Sequence, residues 1–329
     1  MKSDLNRSHG RVALLIPYYG KWPVFFPHFL KSLEGQELLE VFIFSDIKGH
    51  PPLPANVSLI DLPFETLKSK MEELFNKKIG NWSPYKLCDF KPFFGLLFSD
   101  YIEGYKYWAY GDLDIIYGNL HKFLSPALNS EYDIITFRRC YISGALTVLR
   151  NSEQIKQMGF LSDTIDKLFV DRYVGFDEAG GKMGECRKWT KAYNLFDIDS
   201  LTCWTSIVQK EADAGNISLY AEDYYLKESL PYGSMLSIKP RSVQMLGGYD
   251  DFIAFHLVYH KKQLEFTIPL WKEIPNDYII CSEGFFHKPN LVGRLMMNPI
   301  RRYRQILGFL KRTQKKLVDS ITYRLGLKT

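Results

Sequence analysis

The chain is predicted to be an α/β protein: a mostly parallel sheet flanked by helices, with a basic amphipathic helical extension at the C-terminus. Three observations lead there. Short apolar runs of strand length alternate with segments whose apolar residues recur at helical spacing across the first half of the chain. At 329 residues, with 46% hydrophobic and 24% charged residues, the chain can bury a large core. From residue 288 onward the composition turns strongly basic.

Arg11 to Tyr19 is an apolar run ended by Pro17 and Gly20, and reads as a first buried strand. Phe25, Phe26, Phe29, Leu30 and Leu33 then fall on one helical face. Glu40 to Ser45 reads as a second strand and Val57 to Leu62 as a third. Phe64 to Lys77 is expected to be a helix, and Lys91 to Ser99 another with Pro92 in its first turn. A strand beginning at Lys106 comes next, then a helix near Leu120 to Leu128, and strands at Tyr132 to Phe137 and Ala145 to Leu149. Beyond residue 150 the pattern loosens. Gly175 to Gly184 reads as a flexible glycine-rich loop, and Leu219 to Ile279 as short strand-like runs separated by turns. With no internal repeat and no low-complexity linker, the expected organisation is one compact domain over residues 1–287 and a tail over 288–329.

The chemistry concentrates in Tyr110-Gly-Asp-Leu-Asp-Ile-Ile-Tyr117. In an extended chain residues i and i+2 point to the same face, so Asp112 and Asp114 are expected to project together from a strand end. Two adjacent carboxylates repel, and burying them is costly without a cation. Mg²⁺ and Mn²⁺ take such oxygen ligands, often one or two carboxylates plus substrate phosphates. Gly118 and Asn119 then supply a turn, and the ends of strands in α/β sheets are where ligands sit.

Composition excludes several classes. The tail from Lys288 carries 11 basic residues against Asp319, so the formal +5 of the whole chain is a basic tail on a mildly acidic body, which argues against a nucleic-acid binder. Cys88, Cys140, Cys186, Cys203 and Cys281 are odd in number and widely spaced, as reduced thiols of a cytosolic protein would be. The first ten residues lack the apolar core of a signal peptide, no apolar run reaches 18 residues, and no Walker-type Gly-Lys-Ser/Thr loop is present. Aromatic content of 15% fits a large core and also clefts for sugar rings and bases.

The order of Ile16-Pro-Tyr-Tyr-Gly-Lys21, a second strand ending Phe44-Ser-Asp46 and the Asp-x-Asp strand end resembles GT-A-type, nucleotide-sugar-dependent glycosyltransferases. More closely, the chain resembles a largely uncharacterised bacterial group of such transferases. The patterns that carry this are Tyr85-Lys-Leu-Cys-Asp-Phe-Lys-Pro92, Tyr110 to Gly118, Ser143-Gly-Ala-Leu-Thr-Val-Leu-Arg-Asn151 and Phe176-Asp-Glu178, and the resemblance covers roughly residues 11 to 260. It implies a GT-A-like, Rossmann-type fold and transfer of a sugar from a nucleotide diphosphate to a bacterial surface polysaccharide or lipid-linked glycan. It implies Mn²⁺ or Mg²⁺ held by Asp112 and Asp114, with a late histidine as third ligand: His256 first, with His260 and His287 as alternatives. Pro17, Tyr18, Tyr19, Gly20 and Asp46 would border the nucleoside, and Lys86, Asp89 and Lys91 would contact base, ribose or phosphate.

The residues themselves add further candidates. Lys91 or Lys261 could join the metal in stabilising a leaving diphosphate. Asp177 and Glu178 are candidate general bases for an acceptor hydroxyl, a role an inverting enzyme requires. Gly144 after Ser143 would let the backbone approach a donor sugar. Arg138 and Arg139 are candidate phosphate contacts, and Asp223 a further acid. Stereochemistry stays open, as do two non-enzymatic readings: a nucleotide- or carbohydrate-binding protein that keeps the fold, and a membrane-surface scaffold acting through the tail.

In that tail Ile300, Tyr303, Leu307, Leu310, Leu317 and Ile321 recur at three- and four-residue steps, and Arg301, Arg302, Arg304, Lys311, Arg312, Lys315 and Lys316 mostly fill the other face. A basic amphipathic helix of this kind lies on an anionic membrane, each basic residue contributing on the order of 1 kcal/mol. The expected location is therefore cytoplasmic, peripheral on the inner face of the membrane. Removing the residues after Pro299 is expected to leave a folded protein that no longer sediments with anionic liposomes; unchanged sedimentation would sink the idea.

Overall fold

The computed structural model describes residues 12–180, 202–222, 225–231, 233–264 and 266–287, with residues 306, 310, 313 and 314 of the tail. Asp223, Cys186, the end of the glycine-rich stretch and most of the tail lie outside the described residues.

The described elements run β1 (Val12–Pro17), α1 (Phe26–Leu33), β2 (Leu39–Ser45), β3 (Val57–Asp61), α2 (Phe64–Phe75), a 3-10 stretch (Pro84–Phe93), α3 (Phe94–Leu97), α4 (Ser99–Ile102), β4 (Tyr107–Gly111), β5 (Ile115–Tyr117), α5 (Leu120–Asn129), β6 (Ile134–Thr136), β7 (Leu146–Arg150) and α6 (Glu153–Gln157). Then follow α7 (Trp204–Asp213), β8 (Leu219–Ala221), β9 (Leu226–Lys227), β10 (Met235–Lys239), β11 (Ser242–Met245), β12 (Asp251–Phe252), β13 (Ala254–His256), β14 (Tyr278–Cys281) and β15 (Gly284–His287).

The main sheet has the order β3-β2-β1-β4-β7-β6-β8. Its first four strands are parallel, β7 runs antiparallel to both β4 and β6, and β8 is parallel to β6. This is the mixed α/β architecture with a large, mostly parallel, helix-flanked sheet. Its central strands are apolar throughout because both faces are covered. In β1, Val12, Leu14 and Ile16 join one core while Ala13 and Leu15 join the other. The first core holds α1, α5 and the smaller sheets; the second holds α2, the 3-10 stretch and α7. The strand-like runs after residue 219 form two of those smaller sheets, β12-β11-β10-β14-β15 and, with β5, the set β5-β13-β9.

One expected helix differs. Lys91 to Ser99 is not continuous: a ten-residue 3-10 stretch ends at Phe93, and two four-residue helical pieces follow. Pro92 has no N–H for an i→i−4 bond and its ring crowds the preceding turn, which disfavours a regular α-helix there. Elsewhere a close approach fixes the chain. A Cβ on Gly118 would lie 2.2 Å from the Phe252 carbonyl oxygen, while buried Gln36 donates to the Gly118 carbonyl at 2.6 Å. β5 and α5 are thereby tied to α1 on one side and β12 on the other.

Candidate active site

β4 ends at Gly111, and the chain bends through Asp112, Leu113 and Asp114 into β5. The bend is held from both sides: the Asp112 N–H donates to the Ala145 carbonyl at 3.2 Å, and the Leu257 N–H donates to the Asp114 carbonyl at 2.8 Å. β5 pairs antiparallel with β13, setting Ile115 opposite His256. β13 pairs in parallel with β9, setting Phe255 opposite Lys227. Continuing these registers by one residue brings Asp114, His256 and Glu228 together at one end of a three-stranded sheet.

His256 Nε2 lies 3.4 Å from Asp114 Oδ2 and 3.8 Å from Asp112 Oδ2. One ligand atom each from Asp112, Asp114 and His256 falls within 4.8 Å of the others, and this group could hold a metal ion. Two carboxylates and one imidazole form a donor set suited to a divalent cation. His256 Nδ1 sits 3.1 Å from Glu228 Oε1, and Glu228 is paired in turn with Arg138 at 2.7 Å.

Each aspartate also meets a lysine. Lys261 Nζ lies 2.6 Å from Asp114 Oδ2, and Lys91 Nζ lies 2.6 Å from Asp112 Oδ1. Burial alone would raise the Asp114 pKa, but His256 and Lys261 outweigh it and hold the carboxyl below its ordinary range. Burial would lower the His256 pKa, yet Asp114, Glu228 and Asp112 push it up to about 10. The imidazole, with no metal bound, is therefore a cation at neutral pH.

The 3-10 stretch explains how Lys91 arrives. At three residues per turn, positions three apart share a face. Tyr85, Cys88, Lys91 and Phe94 form such a stripe and all line the cavity. Lys86 and Asp89 form the neighbouring stripe, which turns inward. They are 1% and 0% exposed and paired at 2.8 Å. Lys86 also donates to the Arg172 carbonyl at 2.8 Å, and Asp89 accepts from the N–H groups of Val174 at 2.9 Å and Phe176 at 2.8 Å.

That last pair of bonds fixes Asp177 and Glu178. The described part of the glycine-rich stretch is a tethered turn rather than a flexible loop, with Asp177 only 1% exposed. Asp177 Oδ1 accepts from the Tyr173 hydroxyl at 2.8 Å, and its Oδ2 lies 3.7 Å from Lys91 Nζ. Glu178 Oε1 accepts from the Gly144 N–H at 2.9 Å, and Lys91 donates to the Gly144 carbonyl at 2.8 Å. A Cβ on Gly144 would stand 2.6 Å from Asp177 Oδ2, so what approaches the backbone at this glycine is the acid pair. Burial raises the pKa of Asp177 well above the ordinary carboxylate range and raises that of Glu178 as well.

These groups surround one cavity of about 730 Å³. Of the residues singled out from sequence, Pro17, Tyr18, Tyr19, Gly20, Lys91, Asp112, Asp114, Gly144, Asp177, Glu178, His256 and Lys261 line it. Asp46, Lys86, Asp89 and Ser143 do not. Asp46 is exposed and accepts from the Phe64 N–H at the start of α2. Ser143 is buried beneath the acid pair, its N–H donating to Thr136 and its carbonyl accepting from Thr147. His260 is a core residue whose Nε2 accepts from the Leu230 N–H, His287 packs on Trp271, and Arg139 pairs with Glu222. Sequence reading missed Glu228, Tyr85, Cys88 and Tyr173. The three-residue spacing of Tyr85, Cys88 and Lys91 was the one available signal; Glu228 reaches the site through strand register, which leaves no local mark.

The His256 pKa has a testable consequence in the metal-free protein. A group whose pKa is higher folded than unfolded contributes stability below its unfolded pKa and loses it as pH rises through the folded one. That stability is fully present below the ordinary 6.5 and gone above about 10. Wild type in EDTA is expected to melt above His256→Gln at pH 6, by on the order of 5 °C, with the gap closing by pH 10.5. A gap that does not change with pH would show that His256 is not held as a cation.

Among solved structures, the apo form of mouse xyloside xylosyltransferase 1 is similar at a TM-score of 0.37 and 10% identity, covering 68% of this chain and 88% of that one. Galactosyltransferase LgtC, in complex with donor and acceptor sugar analogs, is similar at 0.33 and 9% identity over 66% of this chain and 76% of its own. Glycosyltransferase GlyE of Streptococcus pneumoniae TIGR4 is similar at 0.29 and 13% identity over 68% and 69%. These likenesses are low in score and identity, and the functional reading below stands on the site's own geometry. No curated protein matches the chain. The match that covers most of the sheet and the acidic bend is to a protein family: residues 14–229 fit the one described as "Family of unknown function (DUF6625)", and the chain belongs to it.

Proposed function

We propose that the chain is a metal-dependent glycosyltransferase that moves a sugar from a nucleotide-diphosphate sugar to a glycan acceptor. One observation carries this reading. The Asp112–Asp114–His256 group opens into a cavity that is also lined by Lys91, Lys261 and Lys262, by the carboxylates of Asp177, Glu178 and Glu228, and by an aromatic rim. A divalent cation held by those three residues would supply positive charge to a diphosphate.

The chain's own groups do the rest. Lys261 and Lys91, each 2.6 Å from one aspartate, are available to a diphosphate once a cation takes over the carboxylates. Tyr18 and Tyr19 at the end of β1, with Tyr85 and Tyr173 across the cavity, offer ring faces to a base or sugar. In the transfer, the acceptor oxygen bonds to the anomeric carbon. The bond from that carbon to the diphosphate oxygen breaks, its electron pair leaving on the nucleoside diphosphate. The hydroxyl proton goes to a carboxylate, and the acid pair Asp177/Glu178, which lines the cavity beside Lys91, is placed for that role.

The acceptor in this reading is a bacterial surface polysaccharide or lipid-linked glycan, reached from the cytoplasmic face of the membrane. The sequence resemblance and the basic tail support it. Ile306 and Leu310, four apart and helical, are 59% and 54% exposed, an apolar face available to a membrane. No helix among the described residues is long and apolar enough to cross one.

A panel of nucleotide sugars tested by thermal shift with and without Mn²⁺ is expected to show metal-dependent stabilisation by one nucleotide, abolished in Asp114→Ala. No response to any nucleotide under any metal would overturn the reading; stabilisation without turnover would leave a binding protein. Asp177→Asn is expected to retain nucleotide binding and to slow transfer by about 10²–10⁴-fold. Full activity in that variant removes Asp177 from the chemistry.

A further inference from the structure

A second cavity, of about 1200 Å³, adjoins the first. Glu228 and Tyr259 line both, so the two share a wall. On the first side of that wall stands His256, bonded to Glu228 Oε1; on the second stands Arg138, paired with Glu228 Oε2. A molecule in the second cavity therefore lies next to the group that would hold the donor.

The chemistry of the second cavity is mixed in sign and rich in rings. Three basic side chains, those of Lys122, Arg138 and Lys227, face three acids, Glu228, Asp250 and Asp251. Lys122 pairs with Asp251 at 3.2 Å and Arg138 with Glu228 at 2.7 Å. No excess of either sign is left to select an anion, which argues against a second nucleotide. Tyr141 and Tyr225 also line the cavity, as does Tyr249, which is 102% exposed. Tyr249 follows Gly247 and Gly248 in a turn where Gly247 has φ +80°. A fully exposed ring gains nothing from packing in its own fold, but it can stack on a ligand.

We propose that this second cavity is the acceptor site and that it takes an uncharged oligosaccharide, with Tyr249 as a stacking platform at its mouth. The inference rests on the transferase reading and deepens it. Sugars present hydroxyls to charged side chains and an apolar C–H face to aromatic rings, and both partners are here. Size separates an oligosaccharide from a single sugar: small-molecule pockets span roughly 300–1,000 Å³, and this cavity exceeds that range.

The test uses the full chain with Mn²⁺ on an array carrying neutral and acidic oligosaccharides, with nucleotide binding by thermal shift on the same preparations. Wild type is expected to retain neutral oligosaccharides. Tyr249→Ala is expected to weaken that retention at least tenfold, and Tyr249→Phe to restore it, with metal-dependent nucleotide stabilisation the same in all three. Retention unchanged in Tyr249→Ala, retention of acidic glycans alone, or no retention by a wild type that still binds nucleotide would each overturn the acceptor site while leaving the transferase reading in place. Saccharide retention by a wild type that binds no nucleotide would overturn the transferase reading, and the acceptor role with it.

Discussion

The position of β13 between β5 and β9 is the constraint on which the rest of the site depends. Three strands of two or three residues contribute little stability as a sheet, yet they assemble a carboxylate, an imidazole and a second carboxylate from residues 114, 256 and 228. Such a cluster is unfavourable in isolation. Moving one charge from water into a protein interior costs several kcal/mol even after relaxation, and Asp114 and His256 are 4% and 6% exposed. The arrangement holds because every charge in it has an opposite partner within hydrogen-bonding reach: Lys261 on Asp114, Lys91 on Asp112, Arg138 on Glu228.

The same logic separates two lysines that look alike in the sequence. Lys86 and Lys91 are five residues apart in one segment, and both are buried against carboxylates. Lys86 faces Asp89, whose other bonds go to the backbone of residues 174 and 176, so this pair tethers a turn. Lys91 faces Asp112 and the carbonyl of Gly144 at the cavity wall, so this one presents its charge to the cavity. Breaking a buried pair by removing one partner typically costs about 3–5 kcal/mol. Loss of Asp89, which does not itself line the cavity, would therefore unsettle the acid pair that does.

Much of this was legible in the sequence. Strand–helix alternation predicted the parallel half of the main sheet, because strands buried on both faces are written as plain apolar runs. The Asp112–Asp114 bend was visible as two acids inside such a run. His256 was recognisable by resemblance and by its four-residue spacing from His260, but its meeting with Asp114, 142 positions away, is decided by the pairing of β13 with β5. Glu228 was invisible for the same reason. The helix expected from Lys91 to Ser99 overlaps only the last three residues of the 3-10 stretch, whose beginning at Pro84 no local apolar pattern announces.

That stretch has a consequence for how the chain tolerates changes in length. At about 120° per residue, its faces repeat every third position. One residue added between Lys86 and Asp89 would turn everything after it by about a third of a turn, carrying Asp89 off the stripe it shares with Lys86 and Lys91 off the cavity stripe. One deleted there would carry Asp89 onto the cavity stripe and Lys91 off it. Substitutions here alter one contact, whereas a single insertion rewires two. The spacing of this segment is therefore under tighter physical constraint than most of its side chains, and a chain that gained or lost one residue there would have to be rebuilt on both sides of the wall at once.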